Sequence, residues 1–240
     1  MVKLSIIMPA YNEANTIVNI IEKVKAVDLG KIVKELIVVD DCSKDNTYEI
    51  LKQIKQIKVI RHEKNLGKGS AIMTGINHAS GNIIIIQDAD FEYDPNDYPN
   101  LLRPILDGKT KVVYGSRFLG KTGNNSIKTN VKIKQYFMHK VFFIGNKFLT
   151  FLTKMLYGAN ITDMETCYKV FTADVIKNIP LKSQRFDFEP EITAKIIKKG
   201  HKIIEVPISY SPRSVEEGKK IGWKDGVKAI YCLIANRFAK

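Results

Sequence analysis

Residues 83–92 read Ile-Ile-Ile-Ile-Gln-Asp-Ala-Asp-Phe-Glu, four β-branched residues running straight into two aspartates at i and i+2. An unbroken apolar run of that length fits a strand covered on both faces, as in a parallel sheet, where no polar alternation is required. Working outward, comparable short runs occur at Leu4–Met8, Glu35–Val39, Lys58–Ile60 and Lys111–Tyr114. Helical periodicity fills the intervals at Ala14–Val27, Thr47–Lys55, Lys68–Ala79 and Asn96–Leu106, with Pro9, Gly67, Gly81, Gly108 and Gly115 at the joints. The β-α-β-α alternation predicts a doubly wound α/β layer with a mostly parallel sheet. Further on, Phe188–Lys199 reads as helix, Lys202–Ser209 as strand and Trp223–Phe238 as a closing amphipathic helix. Without a repeat, a low-complexity tract or a Pro/Gly/Ser linker, residues 1–240 are expected to form a single domain.

Composition narrows the partners. The chain has 240 residues, 45% apolar and 26% charged, enough for a sizeable core without disulfides or a structural metal. A formal charge of +13 points to anionic partners, so nucleic acid, phosphorylated metabolites and acidic membrane surfaces all enter. Cys42, Cys167 and Cys232 are far apart and form no CxxC, which argues for a reducing compartment and against a zinc site. The start, MVKLSIIMP, turns polar too quickly for a signal peptide, and no apolar run reaches the ~18 residues of a membrane span. The expectation is a cytoplasmic protein, peripheral on a membrane if it meets one. Between Lys121 and Lys154 there are seven lysines and no Asp or Glu. Within the amphipathic stretch 121–157, Phe137, Val141, Phe148, Leu152 and Met155 can share a helix face flanked by Lys140, Lys147 and Lys154. That pattern suits a helix packed on the core or a basic helix at a membrane interface.

In open parallel sheets ligands bind beyond the carboxyl ends of the strands. The residues there are Pro9-Ala10-Tyr11-Asn12-Glu13, Val39-Asp40-Asp41-Cys42-Ser43, Gln87-Asp88-Ala89-Asp90-Phe91-Glu92 and Gly115-Ser116-Arg117-Phe118. Three of these four strand ends deliver carboxylates, although the chain as a whole is basic. In an extended segment residues i and i+2 project to one side, so Asp88 and Asp90 present hard oxygen ligands together, joined by Glu92 if the extension continues. Such ligands suit Mg²⁺ or Mn²⁺ shared with substrate phosphates. Two familiar phosphate sites are absent: Gly67-Lys68-Gly69-Ser70 lacks the first glycine of a P-loop, and Leu4–Pro9 leads into PAYNE instead of GxGxxG.

Taken together, PAYNE, VVDDCSKDNT, GKGSA, QDAD, GSRF and the late FDFEPEI, EVPISYSPRS and GKKIGWKDG resemble the family 2 glycosyltransferases. Within them the chain is most similar to the dolichol-phosphate mannose synthase and polyprenyl-phosphate glycosyltransferase branch, from about Lys3 to Gly226. The resemblance implies a GT-A fold, a GDP- or UDP-linked sugar donor, and inverting transfer to a polyprenyl phosphate. It places Pro9, Tyr11 and Glu13 in the nucleoside pocket, Val39 and Asp41 beside the base, and Ala89 against the nucleotide. Asp88 would face the ribose and metal, Asp90 would hold the cation, and Glu92 stands where some relatives use a Gln ligand. Arg117, Arg213 and Lys219 match basic positions that contact the diphosphate and the acceptor phosphate. The chain departs from this pattern twice: it carries lysines where some relatives have arginines after GSRF, and Cys167 where many place glycine.

The chemistry of the residues agrees. Breaking the bond to a nucleoside diphosphate puts negative charge on the leaving group, which a cation at Asp90 and the basic Arg213 and Lys219 would stabilise. A hydroxyl acceptor needs a general base, for which Asp163, Asp187, Glu189 and Glu191 are candidates; a phosphate monoester is largely ionised already. Glu189 and Glu191 also read as the acidic first turn of a helix. A hydroxyl-acceptor enzyme of the same family is the nearest alternative. A nucleic-acid-binding role is disfavoured, because strand-end acids repel phosphodiesters and no aromatic-basic interleaving is present. His62, His78, His139 and His201 show no ligand spacing and read as surface or internally satisfied. Trp223 reads as a core or lipid-facing anchor.

Overall fold

A computed structural model describes residues 1–119, 133–212 and 222–239, with side chains of residues 133–142 outside that description. Arg213 and Lys219 lie outside it, as do most lysines of the 121–154 segment.

Seven strands form one sheet: β1 Lys3–Ala10, β2 Val33–Asp40, β3 Lys58–Arg61, β4 Ile83–Ile86, β5 Val112–Ser116, β6 Lys169–Thr172 and β7 Ile203–Pro207, in the order β3-β2-β1-β4-β6-β5-β7. The first four pair in parallel, with Ile6 beside both Leu36 and Ile85. Strand β6 runs antiparallel between β4 and β5, and β7 closes the far edge parallel to β5. The central runs IIII and LSIIM are buried, as continuous apolar patterning requires.

Helices α1 Ile17–Ala26, α2 Thr47–Gln53, α3 Lys68–His78 and α4 Tyr98–Leu106 match the four expected ones; α1 starts three residues later because Thr16 is its N-cap. Helix α3 lies close on the sheet: a Cβ on Gly75 would sit 2.3 Å from Ile7 Cγ2, so only glycine fits there. Beyond β5 come α5 Ile133–Tyr157, the short α6 Ala173–Lys177, α7 Phe188–Lys198 and α8 Trp223–Phe238. A second apolar cluster of Leu149, Ile161, Met164, Ala194, Ala229 and Leu233 joins α5, α7 and α8 to the main core.

Three expectations need correction. Strand β6 went unassigned because its four residues, Lys-Val-Phe-Thr, are too short for a periodic signal and pair only with distant partners. The inward face of α5 is Asn146, Leu149, Thr150 and Thr153, while Phe148 and Met155 point to solvent. The core-packed reading of that stripe therefore fails for Phe148 and Met155 but holds for Leu152, which packs against the second apolar cluster. Trp223 is 77% exposed and is not a core residue.

At the opposite, amino-terminal edge, Glu35 ties three segments together. Its carboxylate accepts from Lys3 Nζ at 3.0 Å, from the Ser80 N–H at 2.9 Å and Oγ at 2.6 Å, and from Ser5 Oγ. Burial alone would raise its pKa, but the hydrogen bonds from Ser5 and Ser80, with Lys3, outweigh that and bring it down to about 2. The folded value lies below the unfolded one, so the stability it contributes is complete above about pH 5 and disappears as pH falls towards 2. Glu35→Gln should cost about 1–3 kcal/mol near neutral pH, with the gap to wild type narrowing steadily in melts taken from pH 5 downwards. A gap that does not change with pH would rule this account out.

Candidate functional site

The site begins with a turn. Asp41, just past β2 and 3% exposed, accepts hydrogen bonds from Leu66 N at 2.8 Å and Gly67 N at 2.7 Å. Its Oδ1 also meets His62 Nδ1 at 2.7 Å, while the other His62 nitrogen reaches Thr74 Oγ1 at 2.9 Å. His62 is thus buried and internally satisfied, as expected. Gly67 has φ 98°, and a Cβ there would lie 2.3 Å from the Gln184 carbonyl oxygen, so glycine is required both by the backbone and by the neighbour.

This turn delivers Lys68, the first residue of α3, to the end of β4. Its Nζ lies 2.9 Å from Asp88 Oδ1 and 3.1 Å from Glu189 Oε1. Burial disfavours the charge on Lys68, but Asp88 and then Glu189 more than reverse this and hold its pKa well above the ordinary lysine value. Glu189 stands in the first turn of α7 and is 5% exposed. One ammonium therefore links the β4 end to the α7 start. Sequence reading rejected this stretch as a P-loop, used GKGSA as a family motif and missed this role; a glycine before a lysine at a helix start was the available signal.

The extension needed to align three carboxylates stops at Ile86. Beyond it the chain bends, and Asp90 Oδ1 accepts from the Glu92 N–H at 3.0 Å, an Asx-type turn. Glu92 instead receives the Tyr210 hydroxyl at 3.1 Å. Among the described residues no three His, Cys, Asp or Glu side chains converge on a metal position, so Asp88, Asp90 and Glu92 do not form a three-carboxylate set. Gln87, between these aspartates and β4, is fixed by the Tyr98 and Tyr168 hydroxyls at 2.6 and 2.8 Å.

The residues expected on the nucleoside side gather at the ends of β1 and β2. Pro9 pairs with Val39 in the sheet, and Glu13 N–H donates to Thr47 Oγ1 at 2.8 Å while its carboxylate accepts from Thr16. Tyr11 and Pro9 are partly exposed, whereas Val39 and Ala89 are buried beneath the edge. Asp41 follows the same strand end, and its oxygens are engaged by the 62–67 turn.

Arg117, just past β5, is bidentate to Asp163: Nε to Oδ2 and Nη2 to Oδ1, both 2.7 Å. Its guanidinium also lies 5.0 Å from the Tyr210 ring. Asp163 is fully buried and takes a further bond from Asn146 Nδ2 at 2.9 Å. Burial would raise the Asp163 carboxyl, but Arg117 and these bonds keep it low, which keeps the pair ionised. Asp163 is therefore spent as an ion-pair partner. Glu191 is similarly engaged, accepting the Lys182 and Ser183 N–H groups and Lys195, which leaves Glu189 as the less committed carboxylate of the two.

A mostly parallel sheet with one inserted antiparallel strand, and acids and bases gathered at its carboxyl edge, defines the GT-A class of nucleotide-sugar transferase fold. Residues 5–179 match the glycosyl transferase family 2 model, and the chain belongs to that family of enzymes. It is 30% identical, over 98% of its own length and 96% of the relative's, to a UDP-N-acetylglucosamine–dolichyl-phosphate N-acetylglucosaminyltransferase of Methanococcus voltae. It is 29% identical to a low-salt glycan biosynthesis hexosyltransferase of Haloferax volcanii, covering 97% of this chain and 53% of that one. Among solved structures it is similar to glucosyl-3-phosphoglycerate synthase of Mycobacterium tuberculosis in complex with Mn²⁺, UDP and phosphoglyceric acid. That match has a TM-score of 0.72 at 18% identity and covers all of this chain and 80% of the other.

Because the Arg117–Asp163 fork is buried, Arg117→Ala should destabilise the protein by about 3–5 kcal/mol. Arg117→Lys, which keeps the charge but loses the second hydrogen bond, should cost roughly half as much. Urea unfolding midpoints measure both, and a loss below about 0.5 kcal/mol for the alanine variant would show that the pair contributes nothing.

Proposed function

We propose that the protein transfers a hexose, with inversion, from a UDP- or GDP-linked donor to a polyprenyl phosphate at the cytoplasmic face of a membrane. The observation that carries this reading is the end-to-end similarity to the Methanococcus voltae enzyme, whose name specifies a dolichyl-phosphate acceptor. The donor's nucleoside would lie against Pro9, Tyr11, Glu13, Val39 and the Asp41 turn, with its diphosphate towards Asp88, Ala89 and Asp90. Asp90 offers hard carboxylate oxygens beside that position, so it fits Mg²⁺ or Mn²⁺ shared with donor phosphates, with Asp88 or Glu92 as a second ligand. Such an ion would supply charge neutralisation for the leaving diphosphate. Arg213 and Lys219 are assigned to the diphosphate and acceptor phosphate, and Arg117 keeps the acceptor-side loop in place through Asp163. In the transfer, an acceptor phosphate oxygen forms the new bond to the anomeric carbon, and the nucleoside diphosphate leaves with the electrons of the old one. No residue has to remove a proton, because the acceptor is already ionised.

Two packed helices support the lipid acceptor. On α5, Ile144, Phe148, Phe151 and Met155 are exposed, and on α8, Trp223, Val227, Tyr231, Ile234 and Phe238. Each set follows helical spacing, and Lys147, Lys154, Lys224 and Lys228 accompany them on the exposed surface. The helices are joined by the Tyr157 hydroxyl donating to the Leu233 carbonyl at 2.6 Å. Apolar stripes with lysines beside them suit the interface of an anionic bilayer, where each basic residue adds about 1 kcal/mol. No helix among the described residues is long and apolar enough to cross a membrane.

Liposome co-sedimentation followed by transfer assays tests the reading. Binding should require anionic lipid and weaken with salt, Phe148→Glu with Tyr231→Glu should reduce it at least tenfold, and sugar should pass to polyprenyl phosphate but not to polyprenol. Comparable turnover of the alcohol would instead identify a hydroxyl-acceptor enzyme.

A further inference from the structure

The segment that leaves β7 is laid along the stretch that follows β4. Ser209 N–H donates to Asp97 Oδ2 at 2.7 Å, Ser211 N–H donates to the Glu92 carbonyl at 2.8 Å, and Tyr93 and Tyr210 form an antiparallel bridge. This pairing brings the Tyr210 hydroxyl to Glu92 Oε2, to which it donates at 3.1 Å. The Tyr210 ring is held separately from that bond. Its centroid lies 5.2 Å from that of Tyr93, and the Arg117 guanidinium sits 5.0 Å from it. Arg117 is itself locked to Asp163, which also takes Asn146 of α5. One aromatic side chain therefore touches both the loop of Asp90 and Glu92 and the buried fork behind β5. The stacking, the cation over the ring and the backbone bonds are all available to a phenylalanine, so they do not account for the hydroxyl.

The chemistry of the pair gives the hydroxyl a use. A carboxylate that serves a cation has its direction set by a hydrogen bond to one of its oxygens, and losing that partner weakens the metal. Glu92 has this form, with Oε2 accepting from a phenolic O–H, which is a donor at any working pH. The backbone beside it is fixed as well, since the Glu92 N–H donates to Asp90 Oδ1 at 3.0 Å. The other carboxylate of the loop, Asp88, faces Lys68 Nζ at 2.9 Å, an ammonium that repels a second cation. Glu92 and Tyr210 also line an open cleft with Tyr93, Asp94 and Ser209, so the pair is reached from solvent.

We propose that Tyr210 is a positioning residue for the divalent cation: its hydroxyl fixes the Glu92 carboxylate beside Asp90, and its ring ties that carboxylate to the Arg117–Asp163 fork. The proposal rests on the donor-site reading above, in which Asp90 and Glu92 meet a cation shared with donor phosphates. It assigns the hydroxyl to the cation alone and leaves recognition of the nucleoside to the ends of β1 and β2.

Calorimetric titration with UDP and with GDP, in Mn²⁺ and again in EDTA, gives the factor by which the cation tightens nucleotide binding. Tyr210→Phe keeps the ring and its neighbours; it should lower that factor about tenfold while changing affinity in EDTA less than about twofold. Glu92→Ala should lower the factor by a similar amount, and Tyr210→Phe added to it should lower it little further, since both changes act through one carboxylate. A factor that is unchanged or larger in Tyr210→Phe would overturn the proposal. So would the same loss in EDTA as in Mn²⁺, which marks a merely structural part, or losses that add in full in the double variant. Asp90→Asn is the control for the reading beneath it. Wild-type protein that binds neither nucleotide, or a cation effect that is missing from the wild type or survives Asp90→Asn, would overturn the donor-site reading itself, and this proposal with it.

Discussion

The carboxylate of Asp41 is the constraint on which the site depends. By accepting two successive backbone N–H groups it fixes the turn at Gly67, and that turn starts α3 with Lys68 aimed at the end of β4. Lys68 then holds Asp88 on one side and Glu189 on the other. The parallel half of the sheet, β1 to β4, is thereby joined electrostatically to α7, which packs on the other half. An ion pair this enclosed contributes little net stability compared with apolar packing, but it defines one geometry for three separate segments.

Charge is distributed with the same logic over the whole molecule. The chain carries +13 overall, yet carboxylates gather at the carboxyl edge of the sheet, where Asp90 is matched to a turn, Glu92 to a hydroxyl, and Asp88 and Asp163 to cations. Among the described residues, Lys147, Lys154, Lys224 and Lys228 lie elsewhere, on the exposed surface of α5 and α8. On the proposed reading, one surface meets a metal-linked diphosphate and another an anionic bilayer, as an enzyme joining a water-soluble donor to a lipid phosphate would need.

The parallel half of this fold could be read from the sequence because its signals are local. Runs such as Ile83–Ile86 have one plausible environment, and the acids that follow them fall on the ligand edge by a rule of topology. Strand β6 could not be read, since four residues inserted antiparallel between β4 and β5 owe their conformation to partners about 60 and 90 positions away. The outward face of α5 was misjudged for a related reason. Its polar Asn146, Thr150 and Thr153 turn inward to bond Asp163, Met164 N and the Leu149 carbonyl, a use of polar residues that periodicity scores as solvent-facing. Lys68 carries only a faint signature, a glycine before a lysine at a helix start, and its two carboxylate partners show only in the assembled site.

The most direct test is a crystal structure of the protein with a nucleotide sugar and Mg²⁺. The account predicts the diphosphate at the carboxyl edge of β1, β2 and β4, with the ion about 2.1 Å from an Asp90 carboxylate oxygen. A nucleotide bound away from that edge, or an ion that leaves Asp90 uncoordinated, would contradict it.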